Sequence, residues 1–477
     1  MTVTGAKFSL LVCMSTCAYG QLTSAQIEEH AEKAQTAQAA QDFKTAIAEY
    51  GILSRAVPHN AELLSNLGVA YYFDGQLPRS MTTMRKAVAI KPDLEAPHLF
   101  LGLASYRLSD PDGAVKELQQ TVHLNPDDAL AHTWLGYAYM AQSHFDAALK
   151  EFQTITQLQP DNVDGWYAMG QAYLEIGKEK TQQLLRIAPD GGRAWQLAGE
   201  QFAINGDKEK AAAAFAEAHR RRIDIPSSGA VGEAVTEHSS AEDLLYHQAH
   251  QAEVAAHEAF QDVLDQKPTS ARAHQIMADA YFAQQQFDGA LAEYRRVLEA
   301  DPALPGIHLQ ISNCLMIQGQ FAQALEESHA EEKLQPASAR VQTDTGRILT
   351  AMGNDTEAST ALKRALNLDR PPLETYLLLA KLDLRDRREI EAIPLLKHYV
   401  AVRPQDAIGY YLLSRAYRVT SDRDQMDHAL ALYKKTSQEA KERSMAQTEL
   451  SRLVNQDITA HFKELEDTKI DSSVMQP

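Results

Sequence analysis

Cysteine is scarce: three residues in 477, and two of them, Cys13 and Cys17, lie near the N-terminus. A disulfide framework is therefore not what holds this chain together. Positive charge is also short, with 46 Lys and Arg against 64 Asp and Glu and a formal net charge of −18. Non-specific nucleic-acid binding needs clustered cations to displace counterions, and anionic lipid attracts the same clusters. The acidic balance argues against both. Glycine and proline are not enriched, so the composition is not that of a disordered chain. Beyond the N-terminus no apolar run is long enough to span a bilayer. The apolar content is ordinary, at 44%, and is sufficient for a core. A chain of this length would normally make about three domains, unless its architecture is repetitive.

The N-terminus differs from the rest. "MTVTGAKFSLLVCMSTCAYGQ" carries Lys7, an apolar run from Phe8 to Cys17, and then the small residues Ala18 and Gly20 around Tyr19. This is the pattern of a secretory signal peptide over residues 1–20, cleaved before Gln21. Neither Cys13 nor Cys17 follows a Gly, Ala or Ser, as a lipoprotein cleavage site would require. Cleavage would leave Cys314 as the single thiol and a mature protein stabilised by packing. The expected location is periplasmic or secreted.

A period of about 34 residues runs through most of the remaining chain. Pro58, Pro92, Pro126 and Pro160 are spaced by that step, as are Pro268, Pro302 and Pro336, and Pro404 lies two steps further. Gly68, Gly102, Gly136 and Gly170 keep phase with them. So do Tyr71, Tyr139, Tyr173 and Tyr281; Tyr50, Phe152, Phe215, Phe260 and Tyr294; and Ala46, Ala114, Ala148, Ala211, Ala256, Ala290, Ala324, Ala358 and Ala392. In "WLGYAYMAQSHFDAALKEF" the physical tasks are visible. Gly136 and Ala148 have too little bulk to hold two crossing helices apart. Leu135, Tyr139 and Phe152 fill the seam at helical spacing. Pro160 stops the second helix. The aromatic stripe is scaffold, not a cofactor pocket.

These positions resemble the tetratricopeptide repeat family, from about Ile27 to Gln438. The resemblance implies an all-α solenoid, a right-handed superhelix of stacked antiparallel helix pairs. By phase, units begin near Ile27, Ala61, Glu95, Ala129, Val163, Gly192, Glu237, Ala271, Pro305, Ala339, Leu373 and Ala407. A final helix from about Gln425 to Asn455 is expected to cap the array, and 456–477 to be a disordered tail.

The period breaks in the middle. Pro189 follows Pro160 by less than one full step. That leaves no room for a turn and a full second helix, so one long helix over Val163–Ala188 is expected. Asp224–Ser240 is rich in Gly, Ser and Pro and reads as an exposed loop. "AEDLLYHQAHQAEVAAHEAFQDVLDQK" has no turn signal and reads as another long helix. The expected organisation is an N-terminal block over 21–225, a flexible loop over 226–240 and a C-terminal block over 241–455. The break is either a tolerated insertion or deletion at a solenoid junction, or a kink or loop that docks a partner.

No signature of catalysis stands out: no His-Glu-x-x-His, no phosphate-binding Gly-rich loop, no Gly-x-Ser-x-Gly and no paired CxxC. Nor do strands alternate with helices, as they would in the glycosyltransferase domain carried by some repeat enzymes. Cys314, in "ISNCLMIQ", reads as a buried structural thiol. His247 and His250 share a helix face, but with His257 two turns away they lack the third ligand of a stable metal site. No metal or cofactor is expected.

The resemblance also implies a groove lined by the first helix of each unit. Carried over by position, its lining residues are Val69, Tyr72, Phe73, Leu99, Leu103, Tyr106, Tyr137, Met140 and Tyr167 in the first half, a strip suited to an extended peptide or an amphipathic helix. In the second half they are Arg340, Arg347, Lys381, Arg385, Arg415 and Arg418. Such a strip would favour an acidic partner segment, unless Glu374, Asp344 and Asp383 neutralise it. The paired Lys/Asn pattern of a carboxylate clamp is not reproduced: Asn313 fits, but Leu309 stands where Lys is needed. The expected function is a non-catalytic scaffold binding extended or helical protein segments, in the cell envelope. The alternative is the scaffold subunit of an envelope polysaccharide or protein-modification enzyme complex.

Overall fold

The computed structural model describes residues 22–204, 208–221, 240–368 and 370–442. The signal-peptide segment, the loop from Asp224 to Ser239, the end of the capping segment and the C-terminal tail lie outside the described residues. Every regular element among those described is an α-helix. The helices are α1 (Ser24–Ala39), α2 (Phe43–Ala56), α3 (Ala61–Phe73), α4 (Leu77–Ile90), α5 (Glu95–Arg107), α6 (Pro111–Leu124), α7 (Ala129–Ala141) and α8 (Phe145–Leu158). Then come α9 (Val163–Ile187), α10 (Gly192–Ile204), α11 (Lys208–Arg220), α12 (Ala241–Gln266), α13 (Ala271–Ala283), α14 (Phe287–Ala300), α15 (Ile307–Ile317) and α16 (Phe321–Leu334). The last are α17 (Ala339–Ala351), α18 (Asp355–Asn367), α19 (Leu373–Arg385), α20 (Glu389–Val402), α21 (Ala407–Val419) and α22 (Arg423–Glu442). The two long helices expected at the centre are α9 and α12.

The chain divides into two compact units. One holds the residues up to Ala104 with His123–Pro126; the other holds Ser105–Val122 and everything from Asp127. In the first, α1 pairs with α2 and α3 with α4, and Tyr50, Leu53, Leu63 and Leu67 pack among alanines at the centre. In the second, α7–α8, α13–α14, α15–α16, α17–α18, α19–α20 and α21–α22 are hairpins, each packed on the next in line from α13 onward.

Local signals explain the helix boundaries. A proline ends most second helices. Two residues after it Asn60, Asp128, Asn162, Ser270, Ser338 or Asp406 accepts a hydrogen bond from a backbone N–H of the next first helix. That satisfies one of the donors every helix N-terminus leaves open. The hairpin turn needs one residue in the left-handed region. It is Gln41, Gly75, Ser109, Ser143, Gln285, Gly319, Gly353, Arg387 or Ser421, all in the same phase. Only three of these are glycine, so six turns hold an L-residue where glycine would be unstrained. The in-phase alanines are buried at the helix crossings.

The small residue of the first helix meets a large one of the second at a fixed interval. A Cβ on Gly68 would stand 2.7 Å from the Met84 sulfur, on Gly136 2.4 Å from the Phe152 ring, and on Gly346 2.6 Å from Leu362. Gly170 faces Phe260 in the same way, at 2.6 Å, but Phe260 lies far beyond that interval. Pro268 overshoots its expected distance from Pro160 by the same excess. The stretch that reads as a shortened unit and two further ones is therefore one unit. It is made of α9 and α12, split at its hairpin turn by an insertion of roughly two repeat lengths.

Both helices run through the place where the turn would be. Gly177 occupies the turn position of α9 and is helical; its missing side chain lets α12 come close, a Cβ there standing 3.3 Å from the Ala249 carbonyl. Ala249, Ala252, Ala256 and Ala259 form the matching buried stripe on α12. At the far end sits a guest hairpin, α10–α11, with its own Gly199–Phe215 seam. It is fastened to α12 by polar bonds. The Arg193 N–H donates to Glu242 at 2.6 Å, its Nε donates to Asp243 at 2.6 Å, and Gln196 Nε2 donates to Tyr246 Oη at 2.8 Å. Tyr246 in turn donates to Glu200 at 2.6 Å. The expected division at 225–240 thus runs through a paired hairpin, since α9 and α12 pack along their length.

Candidate protein-binding face

First helices supply every residue of one cavity in the second compact unit, apart from one cap. It measures about 440 Å³ and is lined by Phe282 of α13, Asn313, Met316 and Ile317 of α15, and Arg340, Thr343, Asp344 and Arg347 of α17, with Glu374 of α19 and its N-cap Pro372. Arg340 and Arg347 both line it. The face is not simply cationic, however. Arg347 Nη2 donates to Asp344 at 2.8 Å and to Asn313 at 2.6 Å, and Arg340 lies 3.8 Å from Asp344. Asp344 is 8% exposed. Burial raises its carboxyl above the usual range, the neighbouring arginines oppose the shift and Glu374 adds to it.

Of the other expected cations, Arg385 pairs with Asp355 at 2.8 Å. Asp383 is taken by Arg388, also at 2.8 Å. Lys381, Arg415 and Arg418 are exposed and have no carboxylate partner among the described residues. Arg415 lies 6.0 Å over the Tyr411 ring.

The apolar strip is more deeply built in than its positions imply. Val69 packs on Met84 and Leu101, and Val69, Tyr72, Leu99, Leu103 and Tyr167 are all buried. Phe73 is 41% exposed and stacks on Phe43 at 5.2 Å, with Tyr72 and Phe100 at its edges. Tyr106, Tyr137 and Met140 are half-buried. Tyr106, Trp134, Tyr137 and Phe152 form a chain of edge contacts, and burial pushes the Tyr106 phenol up to about 12. The open part of this strip is therefore narrower than the sequence implies. Positions that face a groove in a regular array are filled here by ring-on-ring packing.

Beside Tyr167 lies a polar cluster that the sequence did not reveal. Tyr294 donates to Asp279 at 2.5 Å, and Gln171 donates to Tyr167 at 3.1 Å. The Arg272 guanidinium lies 4.7 Å over the Tyr167 ring and bonds Asp164 at 2.6 Å. Burial raises the Asp279 carboxyl to about 6 against the pull of Tyr294, Arg272 and Tyr167. The cluster joins α9 to α13 and α14, where the regular hairpins resume after the insertion.

A second missed signal is a His–Glu pair at a fixed separation within the unit. His30–Glu49, His132–Glu151, His274–Glu293 and His308–Glu327 each link Nδ1 to Oε2 across their own hairpin, at 2.5 to 2.7 Å. His98 and Glu117 have the same spacing. Where the fourth residue of a first helix is not His but Leu64, Trp166, Gln342, Tyr376 or Tyr410, the matching residue of the second helix is Thr83, Ala259, Ala361, Leu395 or Ala429. The two positions change together. The signal was available, but the separation is not a helical spacing and appears only when the units are aligned on their prolines.

Burial also decides the candidates for chemistry. Cys314 is buried and its thiol is pushed up to about 12, so the nucleophilic thiolate is suppressed. His247 and His250 pack against Tyr246. Among the described residues no three His, Cys, Asp or Glu side chains converge as metal ligands, and no helix is long and apolar enough to cross a membrane.

Sequence models of the tetratricopeptide repeat match residues 32–95 and 101–143, 136–177, and 248–308 with 281–330. Together with the regular phase and the helical hairpins, they make this chain a tetratricopeptide-repeat protein. Its repeats are of a kind that serves as protein-interaction scaffolding. No curated protein matches it. Among solved structures, a crystal structure of MamA is 20% identical, covering 42% of this chain and 93% of its own, with a TM-score of 0.31. PilF of Pseudomonas aeruginosa is 20% identical, covering 46% and 91%, with a TM-score of 0.36. MamA of Desulfovibrio magneticus, from residue 41 to its end, is 16% identical, covering 41% and 94%, with a TM-score of 0.30.

Proposed function

We propose that the protein is a non-catalytic scaffold of the cell envelope that holds an extended or helical segment of a partner protein on its first-helix face. The observation that carries this reading is the cavity itself. Its lining comes from α13, α15, α17 and α19, so the first helices of four successive hairpins converge on one concavity, as a binding groove requires. Lys381, Arg415 and Arg418 extend the same face on α19 and α21 as unneutralised charge. An acidic stretch of the partner would lie there and an apolar or neutral stretch over the cavity. The first half contributes narrower openings, around Phe73 in one compact unit and around Tyr106, Tyr137 and Met140 in the other.

A photo-crosslinking residue placed at Ile317, 55% exposed on α15, or at Ile390, 77% exposed on second helix α20, tests the face directly. Discrete polypeptide adducts are expected at position 317 and not at 390. Adducts at 390 alone, or at neither, would overturn the reading. For the envelope assignment we read residues 1–20 as an export signal. Intact mass of protein from the envelope fraction should give a chain beginning at Gln21, and a full-length cytoplasmic product would refute export.

A further inference from the structure

We propose that the cavity between α13, α15, α17 and α19 recognises an uncharged carboxamide, the side chain of an Asn or Gln, next to an apolar side chain on the bound segment. This rests on the first-helix face being the binding face and names what that face selects at one point. Two buried atoms lack a hydrogen-bond partner, Asp344 Oδ2 and Arg347 Nε, although the first of them lies 3.8 Å from Arg340 Nε. Leaving such groups unmet costs about 1–3 kcal/mol each, more for charged ones. They are of opposite kind. A carboxylate oxygen only accepts, and a guanidinium N–H only donates.

The two do not satisfy one another because the arginine is held elsewhere. Its Nη2 is engaged by both Asn313 and Asp344 Oδ1, which turns the fork so that Nε faces no acceptor. Arg347 is the movable wall, since its side chain is 34% exposed. Binding on this proposal requires a rotation about its stem that uncovers Asp344 Oδ2 and presents Nε to the cavity.

Charge selects among ligands. Arg340 and Arg347 line the cavity together with Asp344 and Glu374, so the four formal charges sum to zero. A carboxylate would meet Arg347 but add negative charge beside Asp344 and Glu374. An ammonium would meet Asp344 but stand against two guanidinium groups. A carboxamide offers N–H to Asp344 Oδ2 and C=O to Arg347 Nε with no net charge. Phe282, Met316 and Ile317 supply the apolar part of the lining, and the exposed Ile317 is the seat for the neighbouring side chain.

The test titrates the full chain with N-acetyl-leucyl-glutamine amide and with its glutamate and lysine counterparts. The readout is the NMR signal of the Arg347 Nε–H, assigned through Arg347→Lys. The glutamine peptide should shift it saturably, with little dependence on salt. The other two should bind at least about tenfold more weakly, and Asp344→Ala should weaken the glutamine peptide by a similar factor. Ile317→Ser, which leaves the buried pair intact, should also weaken it and guards against misfolding of the Asp344 variant. Tighter binding of the glutamate or the lysine peptide overturns the carboxamide assignment, as does a signal that none of the three moves. In each of these cases crosslinking at Ile317 separately reports whether the face binds polypeptide at all.

Discussion

The hairpins α7–α8 and α9–α12 have the same seam and opposite connections. In the first, Gly136 meets Phe152 after a tight turn at Ser143. In the second, Gly170 meets Phe260 across a long excursion that carries a hairpin of its own. The stack continues through both. What a repeat must preserve is therefore the pair of surfaces its neighbours pack on, not the continuity of chain between them. This follows from the near one-dimensional energetics of repeat arrays, in which each unit answers mainly to its neighbours. Closing a longer loop costs entropy that grows only slowly with length.

The comparison can be broken most strongly at the seam. Gly170→Val and Gly136→Val both force a side chain into a ring, and overpacking of this kind should cost up to about 3 kcal/mol in each case. The reach should differ. Hydrogen exchange should show protection lost around α7–α8 in the second variant, but through α9, α12 and the guest hairpin in the first. Equal, local losses would mean that α12 does not tie the insertion to the array.

Next in size is the cluster that follows the split unit. The Asp279 carboxyl is raised to about 6 from an ordinary 3.8, so the folded state holds its proton more tightly than the unfolded one. Stability from this group is fully present below about pH 4 and is lost as pH rises through about 6. The total is about 2–3 kcal/mol at 1.36 kcal/mol per pKa unit. Denaturation from pH 4 to 7 should show this decline in the parent and a flatter profile in Asp279→Asn. Parallel profiles would show that Asp279 is not the titrating group.

The guest hairpin should be separable from its host. Arg193→Ala removes charge-assisted bonds to Asp243 and Gln196 and should cost about 2 kcal/mol, felt by α10 and α11. Hydrogen exchange should show both opening while α9 and α12 keep their protection. Global unfolding would make the hairpin part of the array after all.

The smallest effect is expected within one regular hairpin. Units without the His–Glu pair often carry apolar residues at both positions, such as Tyr376 with Leu395. His132→Leu and Glu151→Leu should therefore each cost more singly than together. A double-mutant cycle should return a coupling of about 1 kcal/mol, and strict additivity would show that the pair contributes no specific interaction.

What the sequence made legible was whatever repeats locally. Unit starts at Ala61, Glu95, Ala129, Val163, Gly192, Ala271, Ala339, Leu373 and Ala407 coincide with helix starts, because a proline or a cap residue marks most of them. Both long helices at the centre were legible too, from the turn signals they lack. That they are the two halves of one unit was not, since Gly170 and Phe260 are joined by packing and by no local period. Gly177 has no visible task until α12 is seen lying against it. The placement of Arg340 and Arg347 on a first helix was legible by position. The pairing of Asp344 with Arg347 was one of the readings the spacing left open, but nothing in it says that Val69 turns into the core while Phe73 stays out.

The His–Glu pairs have a consequence for how such a chain changes over generations. Both members lie inside a single repeat unit, so a duplication copies the pair whole and a deletion removes it whole. A point substitution at either position strands a partner. Array length is thus free to drift by whole units, while the fourth and twenty-third positions are bound to each other's history. The chain carries the record: wherever one member is absent from a full unit, so is the other.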